Sequence, residues 1–426
     1  IMSLYLEEFL NLLLSLWWLW LAILLFPLAK YFFVWAKKDH WFGSLKYKML
    51  EIKIPEEIEK TPKAMENVFH SMWGMYDPPS NIRDYWLDGK DMLYYSFEIV
   101  GRQDEVHFYI MAPNTHVQLV KSSIWAEYPE AEIKEVEDYI SNFGKEVPNE
   151  DYDLWGTDLK LAKPDAYPIR TYDYWETELT KDEKKIDPLA ALFEAFGDLK
   201  EGEEVWVQLK VAPVTEDEHP YLAESQKVIN KIMKRPETKK KGILAPLGLS
   251  RIPSDVWTVL IEGKPIPPAM EEELPDGFDI GLMKLSPGEA EALRAIEDNL
   301  GKYVYEGNVR FLYIAKYDII SKPRGITTVM SAFNQFATVN LNSLKPDRSK
   351  TSVIPWFFEG RRLYVKKRRI FRYYTLRAWP WHRSPYIFST AELATMYHFP
   401  GKGVAPSIAV PRVEIKRGEI PPNLPT

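Results

Sequence analysis

LYYSFEIV (Leu93–Val100), GRQD (Gly101–Asp104) and VHFYIMA (Val106–Ala112) read as a β-hairpin. Two runs of aromatic and branched residues flank a polar turn, and Pro113 ends the second run. Outward from the hairpin, MLEIKIP (Met49–Pro55) alternates and closes on proline, as a strand does. Thr61-Pro62 opens a helix, with Thr61 as N-cap and Pro62 at the first helical position. Ala64, Met65, Val68, Phe69 and Met72 follow at helical spacing, and Gly74 ends the run. On the other side, Val117–Tyr128 places Val117, Val120, Ile124 and Tyr128 on one helical face, and AEIKEVEDY (Ala131–Tyr139) alternates again. The order β-α-β-β-α-β is the ferredoxin-like arrangement.

A stretched second copy of the rhythm follows. Residues 141–166 are acidic and punctuated by proline, and read as a linker. Ile169–Trp175 is an expected strand, Pro188–Leu199 a short apolar helix, and EVWVQLKVAPV (Glu204–Val214) an alternating strand. Leu222–Met233 is an expected helix. Residues 235–285 carry little periodicity. Ser286-Pro287-Gly288-Glu289 is a capping box opening a helix through Leu300. Val309–Ile319 is an expected strand, Gly325–Phe336 a helix, and Arg361–Leu376 one long strand or a hairpin. The sequence thus predicts an α+β protein: residues 1–38 as a transmembrane anchor, 39–140 as one ferredoxin-like α/β unit, 141–166 as linker, 167–399 as a second such unit, and 400–426 as a Pro/Gly-rich tail. The second unit carries a helical insertion at about 215–300, whose two helices could pair as an antiparallel stalk.

The expected anchor is LNLLLSLWWLWLAILLFPLA (Leu10–Ala29), which contains no charge. About 20 apolar residues in a helix span a bilayer core. Lys30 follows, then Tyr31 to Trp35, then Lys37 and Lys38, so Trp17, Trp18, Trp20, Lys30 and Trp35 read as membrane-anchoring residues. A buried core helix seldom runs this long without a polar face. A signal peptide would want a basic start, whereas Glu7 and Glu8 are the only charges before the run. Lys30, Lys37, Lys38, Lys46 and Lys48 all follow it, which places the bulk of the chain on the cytoplasmic side.

The net charge of −7 argues against non-specific nucleic-acid binding by the whole chain, though not by a local patch. Zero Cys excludes disulfides, thiolate metal sites and cysteine nucleophiles. Every Gly-Lys pair fails the phosphate-loop pattern: Gly89-Lys90, Gly144-Lys145, Gly263-Lys264, Gly301-Lys302 and Gly401-Lys402 are followed by neither Ser nor Thr. The seven His are scattered, with no pair at i, i+3 or i, i+4. No nucleophile elbow occurs, and Glu135, Glu137 and Asp138 read as a solvated face. The sequence therefore predicts no catalytic residue, cofactor or metal.

The local charge feature is 345–383, in which Arg361, Arg362, Lys366, Lys367, Arg368, Arg369 and Arg372 interleave with Tyr364, Phe371, Tyr373 and Tyr374. Such a pattern suits nucleic acid, through phosphate contacts and base stacking. It also suits anionic lipid headgroups, an acidic protein, or an edge hairpin whose cations block association.

Four segments together carry a resemblance: Ile58–Glu66, Tyr128–Ile133, Ala332–Phe336 with Leu341–Pro346, and Ser389–Pro400, which contains TAELATMYHFP (Thr390–Pro400). Over roughly 50–420 the chain resembles the N-terminal portion of membrane-anchored, HerA-like ATPases of the type IV secretion and conjugation kind, uncharacterised members of small-genome bacterial lineages. In that family the Thr390–Pro400 element lies shortly before the nucleotide-binding domain, and this sequence ends at Thr426, where that domain would begin. The resemblance implies that catalysis belongs to a separate chain or a further domain. It implies a non-catalytic module at the bacterial cytoplasmic membrane, single-pass, with membrane lipid, a cytoplasmic ATPase, further copies of itself and DNA as candidate partners.

Overall fold

The computed structural model describes residues 15, 17–55, 60–103, 105–177, 187–233, 285–355, 357–379, 385–401 and 412–413. Helix α1 (Trp17–Ser44) leads into strand β1 (Tyr47–Pro55). Then come α2 (Pro62–Trp73), β2 (Tyr95–Arg102), β3 (Glu105–Pro113), α3 (Val117–Glu127) and β4 (Glu132–Val136). The second half holds β5 (Tyr152–Leu161), α4 (Ala190–Gly197), β6 (Glu203–Pro213), α5 (Tyr221–Ile232), α6 (Pro287–Leu300), β7 (Val304–Lys316), α7 (Thr328–Phe333) and β8 (Leu344–Pro346). It closes with α8 (Glu359–Thr375), β9 (Tyr386–Ser389), α9 (Thr390–Met396) and β10 (Arg412–Val413).

All the described strands join one sheet in the order β10-β1-β3-β2-β6-β7-β5-β8, with β4 added to β1 and β9 to β7. Every pairing is antiparallel except β1 with β10. The protein is α+β. Strands β2 and β6 form the seam between the halves, from Tyr95 opposite Val211 to Gly101 opposite Val205. Central strands β6 and β7 are buried nearly throughout, and most of their side chains are apolar on both faces, with Gln208, Lys210, Asn308 and Arg310 among the buried exceptions.

One face of the sheet is covered by α2, α3, α4, α7 and α9, packed on Phe97, Phe108, Val207 and Phe311. The other is covered by α8, the turn Tyr139–Phe143 and the end of α1 at Phe42, packed on Trp206, Leu312 and Ile314. Helix α9 is buried along its whole length. Its small residues Ala391 and Ala394 let it press against α2, and Ser389 and Glu392 close a capping box at its start. Glu392 also accepts the Ile169 N–H at 2.9 Å and the Asn299 amide at 3.3 Å.

Three expectations from the sequence are corrected. Arg361–Leu376 is helical, not a strand or hairpin: its apolar residues Ile370, Phe371 and Tyr374 recur at helical, not alternate, spacing. Residues 152–161, read as linker, form β5 beside β7. Their acids are matched rather than solvated, since Lys367 takes Asp153 at 2.7 Å and Arg310 takes Asp158 at 2.6 Å. Ile169–Trp175 is not a strand, and a short helix begins at Asp173. The capping box at Ser286 forms, although Thr61 makes no side-chain cap despite Pro62 at the first position. Helices α5 and α6 pack on one another through Ile229, Leu293 and Ile296, between the paired strands β6 and β7. Among the described residues no helix is long and apolar enough to cross a membrane. Of the expected span Leu10–Ala29, residues 10–14 and 16 lie outside the described residues, as does the tail apart from Pro400, Gly401, Arg412 and Val413.

Burial pushes the Glu392 carboxyl up to about 7. A raised carboxyl pKa means that the folded chain holds the proton more tightly than the unfolded one, so stability falls as pH rises from about 4.3 through about 7. Lowering the pH from 8 to 5.5 should therefore stabilise the fold by about 1–3 kcal/mol through this group. Thermal melts across that range should show the slope, and Glu392→Gln should flatten it. An unchanged slope in the variant would assign the dependence to other groups.

Candidate anion-binding surface

The surface begins with polar residues inside apolar strands. Glu98 on β2 lies opposite Gln208 on β6, Gln208 opposite Arg310 on β7, and Arg310 opposite Asp158 on β5. They make one transverse row across four neighbouring strands, and all four are buried. Arg310 donates to Asp158 at 2.6 Å and to Gln208 at 3.3 Å, and Gln208 donates to Glu98 at 3.0 Å. Buried charge is tolerable only with this degree of pairing.

The row holds the C-terminal end of α8. Its last carbonyls lack partners within the helix. Arg310 donates to the carbonyls of Tyr373 at 2.7 Å and Ala378 at 3.2 Å, and Gln208 donates to that of Tyr374 at 3.2 Å. A cation is also favourable at that end of the helix dipole. The helix stops in a Schellman motif: the Ala378 N–H bonds Tyr373 O at 2.9 Å and the Arg377 N–H bonds Tyr374 O at 3.0 Å. Glycine is the usual residue at the left-handed position, but Arg377 occupies it, at φ +45°. The reason lies in its side chain. Buried Arg377 grips Glu98 at 3.0 and 3.1 Å and also binds Asp138. Tyr139 donates to the same Glu98 at 2.7 Å.

One pair further along the strands, buried Lys210 sits between rings, 3.6 Å from the Tyr94 centroid and 4.2 Å from that of Trp379. Burial, and next the charge of Arg310, push its amine well below the usual lysine range.

With Ile370, Phe371 and Tyr374 held inward, the opposite face of α8 points outward. The basic residues expected to bind an anion fall into two groups. Lys366 is tied to the carbonyls of Ser349 and Ser352 at 2.8 and 2.7 Å, Lys367 to Asp153, Arg368 to Glu146, and Arg362 to the Ile354 carbonyl. Arg361, Arg369 and Arg372 are exposed, without a side-chain partner among the described residues. They fall within one stripe of the helix, about 16 Å long, together with exposed Val365 and Leu376. Of 345–383, Arg383 lies outside the described residues.

The sequence reading missed the approach to this helix. Ile354, Phe357 and Phe358 stand in solvent just before it, Phe358 at 77 % exposure. Among the described residues Phe358 is the other non-glycine at positive φ, +55°. A large exposed aromatic in left-handed backbone is strained, and such strain gathers at functional places. Also missed was the transverse row, though a signal existed: Glu98, Gln208 and Arg310 each interrupt an otherwise mostly apolar run. Of the acids read as a solvated face, Glu135 and Glu137 are exposed, Glu135 pairing with Lys48 and Lys121 at 2.6 and 3.0 Å, whereas half-buried Asp138 binds the buried Arg377. Trp17, Trp18, Lys30 and Trp35 are exposed along α1, which also carries Trp20.

A family match covers residues 48–405. The chain belongs to the family described as Domain of unknown function (DUF8128). No curated protein matches it. The matched span takes in both halves of the sheet, α8 and α9, and begins just after α1.

Arg377 and Phe358 should respond differently to glycine. Arg377→Gly relaxes the backbone but strands Glu98 in the core, and should lose about 3–5 kcal/mol in urea unfolding. Phe358→Gly trades about 1 kcal/mol of strain against glycine's greater freedom when unfolded, and should be near neutral.

Proposed function

We propose that this chain is a membrane-anchored, non-catalytic module of a type IV secretion-like or DNA-translocating apparatus, which positions a partner ATPase at the cytoplasmic face of the bacterial membrane. The anchor in this reading is the uncharged run Leu10–Ala29, whose later part is the start of helix α1. From Trp17 to Trp35 its described side chains are apolar, with Lys30 as the one charge, and all but the half-buried Val34 are exposed. The body is read as two ferredoxin-like units joined edge to edge. In support, each half runs β-α-β-β-α-β, the second with α5 and α6 inserted between its two central strands, and each lays its strands in the order fourth, first, third, second, counted from its outer edge.

The observation that carries the reading is the opposition of α1 and α8. Helix α1 reaches the sheet at the end where Tyr47, Tyr95 and Val211 lie. Helix α8 passes Lys367 over Asp153, at the other end, where β5 begins and β7 finishes. Arg361 lies six residues, about 9 Å, further out along the helix. A bilayer holding α1 would therefore leave the N-terminal half of α8 turned away from its headgroups. That favours an anionic macromolecule on the cytoplasmic side over lipid as its ligand.

A second reading makes that ligand nucleic acid bound directly by this chain. It is supported by Arg361, Arg369 and Arg372 beside exposed Phe358 and Tyr364, cations with stacking surfaces.

Co-purification from the native membrane should recover an ATPase with this chain, and charge reversal at Arg361, Arg369 and Arg372 should release it. Complexes without any ATPase would count against the first reading. For the second, duplex binding should weaken with salt at a logarithmic slope of about −0.9 per phosphate, near −3 for three arginines. The triple alanine variant should remove most of that slope. Binding indifferent to salt, or none, would remove the nucleic-acid reading.

A further inference from the structure

Between α2 and β2 the chain runs DPPSNIRDYWLDGKD (Asp77–Asp91). Its central turn holds Ile82, Tyr85 and Leu87 in solvent, Ile82 at 79 % and Leu87 at 56 % exposure. Such side chains on a polar loop call for an explanation. The turn is fastened to α1 at successive levels. Gly89, at φ +68°, lies so close to the backbone of Lys37 and Lys38 that a Cβ there would collide with it. Lys38 donates to Asp91 at 2.8 Å and stands 5.2 Å over the ring of Tyr85. Lys30 stands 4.6 Å over the ring of Trp86.

Lys30 and Lys38 are eight residues apart, about 12 Å along the helix. The turn thus climbs α1 and reaches the level of Lys30, the first charge after the uncharged run Leu10–Ala29. Leu28, Tyr31 and Phe32 of α1 are exposed at the same level of that helix. Its carboxylates are engaged: Asp77 with Lys90 at 3.0 Å, Asp88 with Arg83 at 3.8 Å, Asp91 with Lys38, and Asp84 with the Ser80 hydroxyl at 2.9 Å. Asp77, Asp88 and Asp91 are thus paired with cations, while Asp84, held by a neutral hydroxyl, keeps its charge.

We propose that Ile82–Leu87 is a second membrane-contacting element, seated at the headgroup level of a lipid bilayer beside α1. This rests on reading α1 as the anchor. Aromatic rings with polar tips and nearby lysines suit that interface, and aliphatic side chains such as Ile82 and Leu87 dip below it. Two contacts, helix and turn, then set the angle at which the sheet stands on the membrane.

The native chain has no cysteine, so one introduced thiol can carry an environment-sensitive fluorophore. Leu24→Cys, Leu87→Cys and Leu376→Cys would each be labelled in the full chain and reconstituted into phosphatidylcholine vesicles with spin-labelled lipid. The label at Leu87 should be quenched at least two-fold more by a spin label near the headgroup than by one deep in the acyl chain. The label at Leu24 should be quenched by the deep one, and that at Leu376 by neither. An unquenched Leu87 beside a quenched Leu24 would overturn this inference and leave the anchor standing. An unquenched Leu24 would remove the anchor reading, and the inference with it.

Discussion

The contact on which the structure turns is the bidentate grip of Arg377 on Glu98. Glu98 lies on β2, at the seam between the halves, and its carboxylate also takes Tyr139, Ser96 and Gln208. Take the guanidinium away and a charge is left in the core of the sheet, with no water to receive it. Because Arg377 directly follows α8, the same contact fixes where that helix ends, and therefore which of its faces looks outward. The seam, the second layer and the exposed arginine stripe are consequences of one pairing. The row from Glu98 to Asp158 gives it a register too. A slip of one residue at β2 and β6 would turn these polar groups onto the apolar face.

How much of this was legible follows from the physics of each element. Met49–Pro55, Leu93–Val100 and Val106–Ala112 announce themselves through alternation bounded by turn residues, and they became β1, β2 and β3 within a few residues. The interruption of the β6–β7 pair by helices was also visible, because Ser286 and Glu289 mark a helix start whatever the surroundings. Strand β5 was hidden because acids usually mean solvent. Its two aspartates are neutralised by Lys367 and Arg310, far away in sequence. Helix α8 was hidden for another reason. Its aromatic and branched residues favour strands locally, and only the packing of Ile370, Phe371 and Tyr374 on Trp206 and its neighbours makes it helical. The arginines of the candidate surface could be listed from sequence. Which of them are consumed by internal contacts could not.

TAELATMYHFP drew attention as a distinctive string, and its place in the fold explains why its residues are so constrained. Thr390 reaches Glu66, Glu392 caps its own helix and holds Ile169, Thr395 receives the Tyr172 N–H at 3.0 Å, and His398 lies 2.9 Å from Asp187. Three distant segments are joined by about two turns of buried helix and the residues that follow it. Distinctiveness here reflects crowding, not chemistry at an exposed site.

Strand β1 has one property with a mechanical meaning. It is entered from α1 at Tyr47, is flanked along its length by β3 and β4, and pairs in parallel with Arg412 and Val413 at Ile54 and Pro55. A pull between the helix at one end and the strand segment at the other runs lengthwise down β1. Its hydrogen bonds are then loaded in shear and share the force, rather than opening one after another like a zip. A body tethered on one side and tugged on the other would yield last where the chain enters it.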